Sequence, residues 1–314
     1  MSIVVAGAVF VDIKGFPDGA FKTSGRNAGH IERVHGGVSR NIAVDLAQVG
    51  LRPVFVSLVD DSPDGADVRQ RLEAQGVCAD FVFSVPDGMG TWLAIFDSSG
   101  DVYAEISKRP VLAPLKDKIL ENHEAIFRDA ESLLLEVDMD AEVIHTFYTL
   151  AEQKGVPVYA AVSNMTLAKE RRDYIRRSAC FVCNITEASD FFDEPLSTVS
   201  TDMLPAKTVD LIRREGLSAM VITMGEKGAV FASADGECGL IPACKVDPLD
   251  STGAGDAFFA GTCAALSRGA SLRDACRAGS CLAASAISVI SSTCECFASR
   301  EGFVFPDSLL VSDH

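Results

Sequence analysis

The stretch Asp250-Ser251-Thr252-Gly253-Ala254-Gly255-Asp256-Ala257-Phe258 holds the residues of this chain best suited to chemistry. Small and apolar residues follow at helical spacing (Phe258, Gly261, Thr262, Ala264, Ala265), so the pattern predicts a helix entered through two glycines. The first turn of such a helix carries N–H groups without intrahelical partners and the positive end of the helix dipole, which suits an anion. Gly253 and Gly255 leave the backbone bare for a phosphate to approach. Asp256 at the same mouth has two readings. As a cap or dipole partner it would be ordinary. As a base it would take a proton from a hydroxyl while the N–H groups of Ala254, Gly255 and Asp256 steady a phosphoryl group in transfer. The second reading explains why a negative side chain stands beside an anion site.

Taken whole, DSTGAGDAF resembles the signature of the ribokinase-like (PfkB) carbohydrate kinases, which move the γ-phosphate of ATP onto a sugar or nucleoside hydroxyl. Further elements appear in that family's order. The apolar run Ile3 to Phe10 predicts a central parallel strand leading to Asp12, at the edge where open α/β sheets bind ligands. The resemblance implies that Asp12 holds acceptor hydroxyls. Gly36 and Gly37 precede a predicted helix ending near Gly50, and Asn41 within it could offer a donor and an acceptor to a diol. Gly36-Gly37-Val38-Ser39-Arg40-Asn41-Ile42-Ala43, with Gly90-Thr91, is most similar to the pseudouridine kinase branch, which places Thr91 in the acceptor set.

On the nucleotide side, Asn184 and Glu187 stand three apart after the apolar run Phe181-Val182-Cys183. They can form an N-cap with a capping box, or match the family's Asn-x-x-Glu element, in which the Glu organises Mg²⁺ through water. The predicted strand Leu217–Thr223 runs into a turn containing Gly225 and Gly228. This resembles the segment that supports ATP phosphates, although no Walker A loop occurs in the chain. The resemblance also implies Thr252 beside the nucleotide and a monovalent cation such as K⁺ near Asp250. Here Ser291-Ser292-Thr293-Cys294 departs from the glycine-containing turn expected at that cation.

These residues need a scaffold, and the alternation of patterns supplies one. Strands are predicted at Val54–Val59, Ser132–Val137 and Val156–Val162, and helices at Asp64–Gln75, within Leu112–Phe127, at Asp140–Lys154 and from Ser271 to Ile290. This β-α-β rhythm is that of a parallel sheet between helices. With the resemblance it predicts a single α/β domain over 1–314. Its fold is a three-layer α-β-α ribokinase-like one, with a mostly parallel central sheet and a small β lid. The lid is assigned to insertions at about 13–35 and 88–110, where Thr91–Phe96 and Asp101–Ile106 flank a turn as in a hairpin. A lid would exclude water from the transfer. Small residues after Ser271 leave room for adenine beside the preceding helix.

The formal charge of −16 argues against nucleic acid or an anionic membrane surface as partner. Hydrophobic content of 48% suffices for a continuous core. Met1 to Gly7 shows no basic leader, and no apolar run could span a bilayer, so a cytoplasmic location is expected. Among ten cysteines, the Cys180/Cys183 pair reads as buried strand rather than zinc ligands.

The implied function is ATP-dependent, Mg²⁺-assisted transfer to a hydroxymethyl group of a nucleoside or sugar, with pseudouridine the first acceptor. A ribokinase- or fructokinase-type sugar kinase is the alternative, and lids of this kind imply a homodimer. A nicotinamide-dependent oxidoreductase would want a third glycine after Gly255, which is missing. A non-catalytic nucleoside-binding protein would have no need of Asp256.

Overall fold

The computed structural model describes residues 2–98, 101–289, 293 and 294. In chain order, β1 (Ser2–Ala6), β2 (Phe10–Pro17) and β3 (Gly29–Gly36) lead to α1 (Val38–Gln48). Then come β4 (Val54–Val59), α2 (Pro63–Ala74), β5 (Cys78–Ser84), β6 (Gly90–Phe96), β7 (Val102–Lys108) and α3 (Leu115–Ile126). The middle of the chain forms β8 (Ala130–Glu136), α4 (Ala141–Lys154), β9 (Val158–Ala161), α5 (Met165–Glu170), α6 (Arg172–Arg177), β10 (Phe181–Asn184) and α7 (Ile185–Phe192). The last elements are α8 (Leu204–Glu215), β11 (Ala219–Thr223), β12 (Ala229–Ser233), β13 (Cys238–Ile241), α9 (Ala254–Ser267) and α10 (Leu272–Ile287).

Nine strands form one sheet in the order β13-β12-β11-β10-β9-β8-β1-β4-β5, parallel from β11 to β5, with β12 and β13 added antiparallel. The apolar strands are covered on both faces, as their continuous hydrophobic runs require. Alternation along each strand divides the core: Ile3 and Val5 pack with α1, α2, α9 and α10, whereas Val4 and Ala6 pack with α3, α4, α7 and α8. Cys180 and Cys183 fall on opposite faces of that division. The three-layer ribokinase-like fold with a mostly parallel sheet is the observed one.

The lid is a second sheet in the order β3-β2-β6-β7. Its boundary corrects one reading of the sequence. The run Ile3 to Phe10 is not one strand: it breaks after Ala6, and the chain crosses to the lid at Phe10. Packing forces the break. A Cβ at Gly7 would lie 2.0 Å from Ser39 Oγ and 2.4 Å from Glu136 Oε2, so this backbone passes against side chains that a regular strand would not approach. Asp12 therefore stands on lid strand β2, opposite Val34 and Trp92, and not at the carboxyl end of a central strand. The segment from Lys14 to His35, which shows no helical period, supplies most of a lid hairpin.

Candidate active site

Gly253 begins α9 with φ 78°, a left-handed conformation that glycine adopts without a Cβ penalty. The loop before it is held by Asp250, whose Oδ1 accepts the Thr252 N–H at 2.9 Å. Ala254 N–H turns back to the Ser251 carbonyl at 3.3 Å. This corrects the assignment of all three first-turn N–H groups to phosphate, because Ala254 is already engaged in the loop. Gly255 and Asp256 are left as the donors at the helix mouth.

Asp256 is half-buried in that mouth and borders a cleft of about 270 Å³ shared with Asn184, Glu187, Thr223 and Gly255. Its Oδ2 accepts a hydrogen bond from Asn41 Nδ2 at 2.9 Å. Burial pushes its carboxyl up to about 6; the Asn41 bond opposes this and the Glu187 charge adds to it. A carboxylate poised near neutrality, yet ionised at pH 7, suits a general base.

Asn41 is buried on the first turns of α1. Arg40, which the sequence did not single out, decides how its amide points. Arg40 Nη1 donates to Asn41 Oδ1 at 3.2 Å, and Arg40 Nη2 lies 3.4 Å from Gln75 Oε1. A guanidinium only donates, so the oxygen of Asn41 must face it and the NH₂ must face Asp256. The guanidinium charge also reaches Asp12, where it and Lys14 oppose the upward push of burial.

The double glycine has a steric cause at each position. A Cβ on Gly36 would lie 2.4 Å from Asp12 Oδ2, so the Asp12 carboxylate rests directly over that residue. Gly37 has φ 107°, and a Cβ there would lie 2.5 Å from the Ala8 carbonyl oxygen. Asp12, Gly36, Gly37, Asn41 and Asp256 form a group of two contacting pairs, Asp12 over Gly36 and Asn41 on Asp256, linked through the Gly37 carbonyl, which accepts the Asn41 N–H at 2.9 Å. Thr91 does not join it. It stands in register with Val11, hence on the lid face opposite Asp12.

Behind this group lie two acidic residues that sequence reasoning passed over. Glu136 ends β8, fully buried, and its Oε2 accepts the Ala8 N–H at 3.0 Å and lies 3.0 Å from Ser39 Oγ. Burial raises its carboxyl to about 7. Asp138 accepts from both the N–H and the hydroxyl of Ser163, while its buried Oδ1 has no partner among the described residues. Both line a cleft of about 460 Å³ with Phe10, Leu112 and Met139. The available signal was position: acids at the end of an apolar strand, on the edge where α/β sheets place ligands.

A second slot, of about 160 Å³, opens on the other side of Gly255. It is lined by Thr223, Gly225, Gly228, Phe258, Ser280 and Ala284, among others. Thr223 and Gly255 border both this slot and the Asp256 cleft, so the two meet at the helix mouth. Thr252 is not brought there; with Asp250 it lines a different cleft, beside Asp12 and Arg40. Asn184 and Glu187 form a complete capping box on α7, with Asn184 N–H on Glu187 Oε2 at 2.8 Å. Glu187 nevertheless lines the Asp256 cleft, and its charge reaches the Asp256 carboxyl. Ser291 and Ser292, part of the stretch compared with a cation site, lie outside the described residues.

Fold and site together define a phosphotransferase of the ribokinase-like class. Residues 1–296 match the model of the pfkB family carbohydrate kinases, and the chain belongs to that family. It is a kinase of nucleosides or sugars. The chain is 30% identical over 287 residues to the guanosine-inosine kinase of Exiguobacterium acetylicum, covering 91% of this chain and 94% of that one. It is 25% identical over 260 residues to the pseudouridine kinase of Escherichia coli, covering 82% of each. Among solved structures, Arabidopsis thaliana ribokinase complexed with ribose and ATP superposes with TM-score 0.81 at 20% identity over 99% of both chains. Among the described residues no helix is long and apolar enough to cross a membrane.

Proposed function

We propose that the protein transfers the γ-phosphate of ATP to the 5′-hydroxymethyl group of a ribonucleoside. The observation that carries this reading is the junction at Gly255, where the raised carboxylate of Asp256 meets the slot on the far side of the helix mouth. Asp256 takes the proton of the attacking hydroxyl. The N–H groups of Gly255 and Asp256 stabilise charge on the transferring phosphoryl. Asn41, fixed by Arg40, keeps the base aimed, and Asp12 holds acceptor hydroxyls. The slot along α9 and α10 takes the adenine. Glu187, its carboxylate fixed by the cap, would hold Mg²⁺ through water, and the ion would neutralise phosphate charge.

A nucleoside is favoured over a free sugar by room and by similarity. The cleft of about 940 Å³ that Asp12 lines with Phe16, Arg40 and Phe96 has room for a base beside the sugar. The relative sharing 30% identity is named for guanosine and inosine, which ranks those purine nucleosides ahead of pseudouridine. We further infer a homodimer through the lid. Ile31, Leu93 and Ile106 are 74%, 39% and 69% exposed on one face of it, and a second copy would cover them. Analytical ultracentrifugation of the wild type and of Ile106→Glu tests that point, a dimer lost in the variant being expected.

A coupled ADP-release screen with guanosine, inosine, pseudouridine, uridine, adenosine, ribose and fructose tests the activity. Release with a nucleoside, abolished in Asp256→Asn with ligand affinity kept, is the expected result. Faster turnover of ribose or fructose would turn the reading to a sugar kinase. Indifference to Asp256→Asn would turn it to a nucleoside-binding protein.

A further inference from the structure

The fold brings together two cysteines that are distant in the sequence. Cys244, three residues after β13, and Cys281, on α10, have their sulfurs 3.3 Å apart. Ser280 holds Cys244 in place: it accepts the Cys244 N–H at 3.2 Å, and its hydroxyl donates to the Cys244 sulfur at 3.6 Å. Both cysteines are half-buried, and Cys244 forms part of the wall of the slot between β11 and α10.

The chemistry of this pair differs from that of the other interior thiols. Burial raises Cys180, Cys263 and Cys276, which keeps them protonated and inert. At Cys244, hydrogen bonds from Cys281 and Ser280 outweigh burial and favour the thiolate, the form that attacks an oxidant. The geometry is also close to a bond. A disulfide needs sulfurs about 2.0 Å apart, so the two must approach by roughly 1.3 Å. Residues 242–249, which form no helix or strand, can supply that movement. They are already tied to α10, since Leu249 N–H donates to the Ile287 carbonyl at 2.8 Å.

We propose that Cys244 and Cys281 form a reversible disulfide that draws the 242–249 segment onto α10 and closes the slot. The oxidant is a hydroperoxide. The Cys244 thiolate attacks its terminal oxygen, giving a sulfenic acid and releasing water (or an alcohol) once the leaving oxygen is protonated. The Cys281 sulfur then attacks the Cys244 sulfur; the S–O bond breaks and a second water leaves with the Cys281 proton. Two thiols lose two electrons, the peroxide gains them, and a dithiol reverses the process. That closure weakens nucleotide binding rests on the slot being the adenine site, whereas disulfide formation does not.

The full chain is reduced or treated with hydrogen peroxide, then digested without reductant and analysed by tandem mass spectrometry. Affinity for a fluorescent ATP analogue is measured on both forms. The expected result is a link between the peptides carrying Cys244 and Cys281. Affinity in the oxidised form falls by about tenfold and recovers with dithiothreitol. Cys281→Ser, or Cys281→Ala should the first misfold, keeps the reduced-state affinity and loses the response; Cys238→Ser keeps both link and response. Absence of the link after peroxide overturns the proposal, as does a link that leaves affinity unchanged. A link in a protein whose reduced form binds no ATP analogue overturns the adenine assignment and supports the disulfide.

Discussion

The Asn41 amide donates to the Asp256 carboxylate at 2.9 Å, across 215 residues of sequence and between the first turns of two helices. This bond joins the double-glycine segment to the mouth of α9, the phosphate site of the proposed reaction. It also works against the burial that raises the carboxyl, so it lowers the pH at which Asp256 titrates.

The pH dependence of turnover follows from that titration. With the Asp256 carboxyl raised to about 6, its basic form is lost as pH falls through 6. The rate under saturating nucleotide should be level above pH 7 and fall with unit slope below about pH 6. Asp256→Asn should lower kcat by about 10²- to 10⁴-fold, the usual contribution of a general base. An unchanged acid limb in the residual activity of that variant would assign the titration to another group.

Removing the amide should move the limb. Asn41→Leu deletes the bond that favours the charged carboxylate, so the acid limb should shift to higher pH as kcat falls. Arg40→Gln should shift it in the same direction by less, because the Asn41 amide loses its fixed orientation and keeps its donor. Full pH–rate profiles separate this from simple loss of fold, which lowers the plateau without moving the limb.

Gly36→Ala should act on the acceptor alone. The added methyl would lie 2.4 Å from Asp12 Oδ2 and displace that carboxylate, raising the acceptor KM by about tenfold, the order of one lost charged hydrogen bond. Nucleotide affinity should not change. Gly37→Ala should instead destabilise the whole protein, since it meets both a positive φ and the Ala8 carbonyl oxygen; thermal melts distinguish the two.

Stability should decline toward alkaline pH through Asp45. This side chain is fully buried on α1, accepts the Cys294 N–H at 2.7 Å, and has its carboxyl pushed up to about 8 by burial. A folded value above the unfolded value of roughly 3.9 gives stability that is complete below pH 4 and lost as pH rises through 8. Glu136, raised to about 7, adds to the same trend. Asp45→Asn keeps an acceptor for Cys294 and should raise Tm at pH 8 by roughly 3 °C while leaving pH 4 little changed. Equal shifts at both pH values would exclude the linkage.

Local signals made much of this molecule legible. The glycines of DSTGAGDAF, the double glycine before α1 and the β-α-β rhythm each act over a few residues, where backbone freedom and periodicity decide structure. They pointed to the helix mouth, to Asp256 as the candidate base, and to a three-layer fold. Strand β4 matches its predicted bounds, Val54–Val59. What depended on distant partners was not legible. Whether Ile3 to Phe10 stays in one sheet was decided by Ser39 and Glu136 pressing on Gly7. That Asp12 lies over Gly36, that Arg40 turns the Asn41 amide, and that Cys244 meets Cys281 are facts of packing. A sequence carries the type and spacing of its groups; the direction in which a buried side chain points is set by what the completed core leaves open to it.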